Sequence, residues 1–384
     1  MKLQFCTCLL ILLSVSVYAK TEFNGVIAQN IIHTSDNNYA GKSDDSVAAL
    51  STEASLLGNM AVTDDLNLSG QLMYRHFGEE DEGLDVDFFM LDFHPLDRES
   101  WAAGVQLGRF KNAMGFYGKT RDIAPTRDSI VLPQSIYYEG WRDLQLSTDG
   151  INLYTTIFTS EGELVIELGY GKPRAGVFES SDLYTTTRDE HAYVYRILYE
   201  HNGGQWRFAF SGGDTQFDQS YIETDELTGI TAYDPGHYQY NNHIYSAEYN
   251  GRLWSITAEF SRGEYKENYE SGYTSGAIEE STYLQLRRRL SAKVDAFIRY
   301  DQYYPDISDK DGASYEAFYG DYNHLGYSRS YSLGFKWHYS QALDFMAEFH
   351  RTHGTSNLPY EDNVNLEDLR EAWNMLAVGV SYQF

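Results

Sequence analysis

The sequence has almost no cysteine: Cys6 and Cys8 are the only two in 384 residues, and both lie near the amino terminus. If the amino-terminal segment is removed on export, the remaining chain has no thiol. That excludes a disulfide, a thiolate nucleophile and a cysteine-ligated metal. A thiol-free chain suits an oxidising compartment outside the cytoplasm.

The first nineteen residues have the three parts of a secretory signal peptide. Lys2 gives a positive start, Leu9–Leu13 form a short apolar core, and small residues precede a cleavage point after Ala19. The apolar core is shorter than the ~20 residues that a membrane-spanning helix needs. We therefore expect residues 1–19 to be cleaved and residues 20–384 to form one domain.

Long apolar runs are also missing, and mean hydropathy is −0.48. No run reaches the ~18 apolar residues of a helical span, which excludes a helical membrane protein. Basic residues are few, with 29 Lys and Arg against 56 Asp and Glu, and the net charge of −27 argues against nucleic acid as a partner. What is abundant is aromatic: 33 Tyr and 20 Phe favour strands with one apolar and one polar face.

Apolar and polar residues alternate along many short segments, most clearly at the carboxyl terminus. One face of that segment carries Leu376, Val378, Val380, Tyr382 and Phe384, and the residues between them are small or polar. Such period-two alternation predicts a strand. In the other segments the charged residues fall opposite the apolar face, and they include Arg75, Glu167, Arg196, Arg207, Glu248, Glu259, Arg287, Arg289, Asp295, Arg299, Asp344 and Glu348.

The connections between these strands alternate between short and long. Short turns such as Asn250-Gly251 alternate with long polar loops, which we place at 35–46, 78–83, 112–140, 173–188, 216–240, 264–278, 304–326 and 354–372. This asymmetry predicts an all-β, antiparallel, up-and-down transmembrane barrel of about sixteen strands, with short periplasmic turns and long extracellular loops. The alternation slips at Asp149-Gly150, which we interpret as a bulge in one strand over 141–158, because a turn there would make the strand number odd.

Three features together resemble the Gram-negative outer-membrane porin superfamily. They are the terminal Phe384 with Tyr382 and Val380 on the same face, the sixteen strands, and a third loop that is the longest. The resemblance implies a location in the outer membrane and a passive channel for small hydrophilic solutes or ions, with no catalysis. It also implies a homotrimer in contact with lipid and lipopolysaccharide, and an assembly machinery that recognises Val380, Tyr382 and Phe384.

The third loop is unusually apolar for a surface loop. Ile130, Val131, Leu132 and Ile136 need a surface to pack against, and the inner wall of the barrel would supply one. We therefore predict that this loop folds into the lumen and constricts it; a lid outside the mouth and a subunit contact are the alternatives. The candidate constriction residues are Arg109, Lys111, Lys119, Arg121, Asp122, Arg127 and Asp128.

The predicted lumen wall carries charges of both signs. The candidate pore-lining residues are Arg75, Arg196, Arg207, Arg287, Arg289, Arg299, Asp295, Asp344 and Glu348. Opposed rows of charge would give a transverse field across the pore, as the porin resemblance implies, whereas neighbouring opposite charges would simply pair and stiffen the wall. The net negative charge favours cations but the third loop is locally basic, so the sign of ion selectivity stays open.

Other functions rest on weaker patterns. A substrate-selective porin would use aromatics such as Tyr137 and Tyr138, and an outer-membrane enzyme would use Asp344, Glu348 and His350, which share one strand face. A surface-binding protein would use the loops. We predict no metal site and no cofactor, apart from loosely bound divalent cations at acidic loops such as 79–82 and 306–311.

Overall fold

The computed structural model describes residues 20–44, 48–78, 81–174, 183–184, 190–224, 231–320, 322–359 and 362–384. The predicted signal peptide, residues 1–19, lies outside these ranges, and so do Glu79 and Glu80 of the acidic run.

Sixteen long antiparallel strands make up most of the described residues. They are β1 Thr21–Thr34, β2 Ala49–Thr63, β3 Leu66–Phe77, β4 Asp81–Arg98, β5 Trp101–Lys111, β6 Ser147–Phe158, β7 Gly162–Pro173, β8 His191–His201, β9 Trp206–Thr224, β10 Thr231–Asn250, β11 Trp254–Tyr269, β12 Thr274–Arg289, β13 Val294–Tyr304, β14 Ser328–His338, β15 Leu343–Gly354 and β16 Ala372–Gln383. The short helices are α1 Arg142–Leu146 and α2 Ala313–Tyr319, with 3-10 turns at Ala124–Thr126, Glu139–Trp141, Asn323–Gly326 and Leu366–Asp368. No helix in the described ranges is long and apolar enough to cross a membrane.

Each strand pairs with the next along the chain, and β1 pairs with both β2 and β16. The closing pair continues past the last strand residue, where Phe384 N donates to Gly25 O at 2.9 Å and Gly25 N donates to Phe384 O at 2.8 Å. The sheet therefore has no free edge. The predicted closed barrel of sixteen strands is confirmed.

The two faces of the barrel differ in chemistry. Leu168 and Ile298 on the outer face are more than half exposed, whereas Ser211 and Glu259 on the inner face are buried. Tryptophans surround the rim that carries the short turns: Trp101, Trp206 and Trp254 each begin a strand there, and Trp337 lies next to the end of one. An apolar outer band bordered by aromatic residues is the surface that a bilayer requires.

The short turns lie where the sequence indicates, but two of the predicted loops are mainly strand and a third is partly strand. Residues 216–224 and 231–240 belong to β9 and β10, and residues 264–269 and 274–278 belong to β11 and β12; the pairing continues up to Thr224↔Thr231 and Asn268↔Thr274. β4 begins at Asp81 and so takes in 81–83 of the predicted loop 78–83. These polar segments read as loops because they lack apolar alternation. Their backbone pairing continues nonetheless, and one face of these extensions is buried, because Phe217, Tyr238 and Tyr240 pack with Leu144 of α1.

The predicted bulge at Asp149-Gly150 is wrong. β6 begins at Ser147, preceded by α1, and it pairs with β5 and β7 in unbroken register. The alternation slips because residues 142–146 are helical: Leu144 and Leu146 are buried on α1, whereas Ile151 and Leu153 face outward from β6. Within β6, Gly150 pairs with Gly171. An added Cβ at Gly150 would lie 2.1 Å from Tyr170 O and 2.7 Å from the Cα of Gly171, so only glycine permits this close approach.

Replacing Gly150 by alanine therefore tests the close β6–β7 contact. We expect Gly150→Ala to lower the unfolding free energy by about 1–3 kcal/mol, because backbone atoms must move apart. The measurement is the denaturant midpoint of the refolded barrel, followed by heat-modifiable gel migration. The matched control is Gly83→Ala in β4, where an added Cβ meets nothing within 4 Å; equal midpoints for the two variants would contradict the prediction.

Candidate functional site: the third loop in the barrel lumen

The third loop spans residues 112–146 and lies inside the barrel, as predicted, although it is longer than the expected 112–140. Its backbone bonds to walls that lie far apart around the circumference. Gly115 N donates to Ser211 Oγ on β9 at 2.8 Å. Ile130 N and Val131 N each donate to the Glu348 carboxylate on β15 at 2.9 Å. The loop therefore crosses the lumen.

The apolar residues of the loop pack against apolar patches on the otherwise polar inner wall. Leu132 and Ile136 are buried with Ile244 and Tyr283 on one side of the lumen. Ile130 and Val131 are buried with Ile32, Met346 and Met375 on the other side. These contacts remove the apolar side chains of the loop from water, which is why the loop folds against the wall.

A carboxylate on β11 anchors the first half of the loop. Glu259 accepts hydrogen bonds from Phe116 N at 2.9 Å, Tyr137 Oη at 2.6 Å and Ser246 Oγ at 2.5 Å. A buried carboxylate needs such donors, because leaving it unpaired is costly. The sequence marks Glu259 only as an inward charge; its partners are far away in the chain, so no local pattern indicates this contact.

A compact charge cluster holds the loop near β3, β4 and β5. Asp122 accepts from Lys111 Nζ at 2.5 Å and from Arg142 Nη2 at 2.7 Å, and Lys111 also pairs with Asp87. Burial alone raises the pKa of Asp122, but the charges of Arg142, Lys111 and Arg121 outweigh burial and hold that pKa well below its usual range.

Glu139 forms the second carboxylate of this cluster. It accepts from Arg75 Nη2 at 2.7 Å and from Arg121 Nη2 at 3.2 Å. Burial raises the pKa of Glu139, and the charges of Arg75, Arg121 and Arg142 reverse the effect, so the net pKa is lowered.

The remaining constriction candidates in the loop pair with the wall. Arg127 pairs with Glu53, and Lys119 pairs with Glu167, which also accepts from Arg196 Nε at 2.8 Å. Asp128 accepts from Arg287 Nη1 at 2.8 Å and from Gln285 Nε2 at 2.9 Å.

Arg109 is a correction to the predicted constriction set. It pairs across the sheet with Phe89 and Asp149, and its neighbour on the same face, Leu107, is a lipid-facing residue. Its Nε donates to Asp149 Oδ1 at 2.7 Å on the outer surface. Side chains alternate across a strand, so Phe110 occupies the inner position that was assigned to Arg109.

The charged wall residues pair mostly with neighbouring strands. Arg207 contacts Glu200 at 2.6 Å and Glu248 at 3.0 Å, and Arg289 lies 3.7 Å from Asp295. Asp344 contacts His338 at 2.8 Å and Lys336 at 3.4 Å. Acidic and basic residues are interspersed around the wall, which matches the pairing alternative better than two opposed rows of charge.

Ser332, His350 and Glu348 form a hydrogen-bonded chain inside the barrel; the sequence analysis indicated Glu348 and His350 but missed Ser332 and includes Asp344, which pairs elsewhere. Ser332 Oγ lies 2.8 Å from His350 Nδ1, and His350 Nε2 lies 3.0 Å from Glu348 Oε1. All three are buried, and the Glu348 carboxylate is already bonded to the loop amides. The geometry suits an anchor for the loop, because an attacking serine needs access to a substrate carbonyl.

The acidic segment near Asp309 uses its carboxylates on its own backbone. Asp309 accepts from Ser314 N at 3.0 Å, and Asp306 accepts from Ser308 N at 2.8 Å. Within the described ranges no group of three or more potential ligands is placed to hold a metal ion.

The proposed assembly signal lies on the outer face. Val380, Tyr382 and Phe384 alternate with inward residues of β16, and Phe384 is 63% exposed. Its ring covers Gly25, where any Cβ would lie within 2.2 Å of the ring.

The low pKa of Asp122 and Glu139 leads to a pH prediction. Groups with depressed pKa values contribute stability that is complete above their unfolded pKa, about 4, and is lost as pH falls through the folded value. We expect the barrel's melting temperature to be constant above about pH 5 and to fall below about pH 4. Asp122→Asn should melt lower at neutral pH and show a shallower acid dependence; an acid limb parallel to that of the unchanged protein would contradict this role.

The comparisons with known proteins show a similarity in fold but not in sequence. No protein-family model and no curated protein matches the sequence. Solved structures do match: outer-membrane-expressed OmpT of Vibrio cholerae has a TM-score of 0.61 at 12% identity, covering 96% of this chain and 99% of that one. The anion-selective porin of Comamonas acidovorans has a TM-score of 0.56 at 12% identity, covering 95% and 100%. The outer-membrane channel DcaP of Acinetobacter baumannii has a TM-score of 0.55 at 10% identity, covering 95% and 97%. The chain has the fold of the Gram-negative outer-membrane porins.

Proposed function

We propose that this protein is a porin-like outer-membrane channel for small hydrophilic solutes or ions, narrowed by the third loop, with no catalysis of its own. The single observation that carries the proposal is the loop that crosses the lumen and is bonded to Ser211, Glu259 and Glu348 on separate walls. A pore conducts according to its narrowest ring. Because the loop bonds to so much of the wall, we expect a conductance well below that of an open barrel.

The proposed function also includes an oligomeric state and binding partners. One similar structure, of Vibrio cholerae OmpT, is described as a trimer form, and we propose a homotrimer here. Contacts with lipid and lipopolysaccharide suit the apolar outer band, and loosely bound divalent cations at acidic loops remain part of the proposal. Recognition of Val380, Tyr382 and Phe384 by the assembly machinery suits their outward position.

The test is single-channel conductance of the refolded chain in a planar bilayer. We expect stable steps in groups of three for a trimer, and a larger unit step after deletion of residues 119–128, which removes the loop contacts made by Asp122, Arg127 and Asp128. A folded, heat-modifiable barrel that does not conduct, with or without the deletion, would refute the channel.

Two neighbouring arginines give a matched test of the lumen charge. Arg287 points inward to Asp128, whereas Arg288 points outward and lies over the Trp254 ring at 4.8 Å. We expect Arg287→Gln to shift the reversal potential in a salt gradient toward cation preference, because a positive charge leaves the lumen. Arg288→Gln should leave the reversal potential unchanged. Equal shifts in both variants would mean that the current does not pass through the lumen.

A further inference from the structure

The rim that carries the short turns is acidic on one side and basic on the other. The turns at 63–65, 97–99 and 160–162 contain five Asp or Glu and one Arg. The rim segments 250–254, 288–293 and 338–343 contain four Arg or Lys and no Asp or Glu. In a chain with 56 acidic and 29 basic residues, a stretch of rim without acid departs from the average composition. We call these three segments the basic arc.

The three segments of the basic arc are neighbours in space. Arg289 N donates to Leu253 O at 2.9 Å, which joins the start of β11 to the end of β12. His338 N donates to Lys293 O at 2.8 Å, which joins the turn before β13 to the end of β14. The basic arc is therefore one continuous stretch of the rim.

The outer cations of the arc have no carboxylate partner. Arg252, Arg288 and Lys293 form no salt bridge with any residue in the described ranges. The closest acids along the strands, Asp295 and Asp344, point into the lumen and pair with lumen-side cations and His338. The positive charge of the arc is consequently open to a partner outside the barrel.

Cations elsewhere on the same rim have acids beside them. Lys20 Nζ lies 2.7 Å from Glu22 Oε1. Arg98 lies between Asp97 and Glu99 in the chain. The absence of a local counter-charge therefore distinguishes the basic arc from the other side of the rim.

The arc also lies where the apolar outer band ends. Arg288 points outward, and its guanidinium lies 4.8 Å from the centre of the exposed Trp254 ring. Leu253 and Leu290 are apolar residues of the arc that are 49% and 51% exposed. Tryptophan rings at the border of a membrane protein mark the level of the lipid headgroups. The cations of the arc are thus at the depth of the lipid phosphates.

We propose that the basic arc binds the headgroups of anionic phospholipid in the membrane leaflet on the short-turn side. The lipid phosphates accept from Arg252, Arg288 and Lys293, and the acyl chains contact Leu253 and Leu290. Arg and Lys near a membrane surface attract anionic lipid, and a guanidinium matches the geometry of phosphate oxygens. The exposed leucines favour a lipid over a soluble anion, which would leave them in water.

This lipid contact depends on the outer-membrane location of the barrel and does not require conduction. The test is native mass spectrometry of the refolded full chain in neutral detergent, titrated with dioleoyl phosphatidylglycerol or dioleoyl phosphatidylcholine. The two lipids have the same acyl chains, so a difference in affinity reports the headgroup. We expect phosphatidylglycerol to bind at least about fivefold more tightly, and salt to reduce this preference.

Paired variants connect the preference to the arc. The double variant Arg252→Gln with Lys293→Gln removes two exposed cations in turns and keeps Arg288. We expect it to weaken phosphatidylglycerol binding by at least about tenfold and to leave phosphatidylcholine binding unchanged. The matched control is Lys20→Gln with Arg98→Gln, which removes two charges from the same rim outside the arc and should keep the preference.

Three results would overturn the inference, provided that each protein migrates as a folded barrel. They are equal affinity of the unchanged protein for the two lipids, an unchanged preference in the arc variant, and equal loss of preference in both double variants. The last result would mean that lipid responds to the overall charge and not to the arc. Because the assay measures lipid binding and no current, it separates failure of this surface from failure of the channel.

Discussion

Closure of the sheet is the constraint on which the rest of the molecule depends. In hydrocarbon an unpaired backbone amide or carbonyl costs several kcal/mol, so a strand that faces lipid needs a partner on both sides. The pairing of β1 with β16, completed by Gly25 and Phe384, removes the last free edge. Closure also creates a lumen. The polar side chains that cannot face lipid point into it and must find hydrogen-bond or charge partners there.

The inward loop solves much of that problem. Glu259 and Glu348 are buried carboxylates, and each accepts backbone amides from the loop as well as a hydrogen bond from a wall side chain, Ser246 for Glu259 and His350 for Glu348. The loop in turn has amides and apolar residues that need partners. Wall and loop thus satisfy one another, which is why the loop is held across the lumen instead of standing free above the barrel.

The same exchange leaves some buried polar atoms without partners. On the β13–β16 side the loop engages Arg299 through its outer nitrogens but leaves its Nε, and the hydroxyl of Tyr39, without a partner. Gln71 on β3 and the Nε of Arg127 are further buried groups without a hydrogen-bond partner among the described residues, so this region is one of several.

Much of the fold was predictable because lipid imposes a local rule. Alternation such as that of Leu376 to Phe384 places each side chain in or out, and the spacing of short turns sets the number of strands. The apolar residues Ile130–Leu132 in a long loop likewise predicted that the loop packs against the inside of the barrel. Local rules failed at three places. Helix α1 before β6 gave the alternation the appearance of a bulge, Arg109 lies one position from the inner face, and the polar ends of β9–β12 resembled loops. Tertiary structure alone decided which wall group meets which loop atom, such as Glu259 with Tyr137 or Arg299 with Val131, because those partners are brought together only when the barrel closes around the loop.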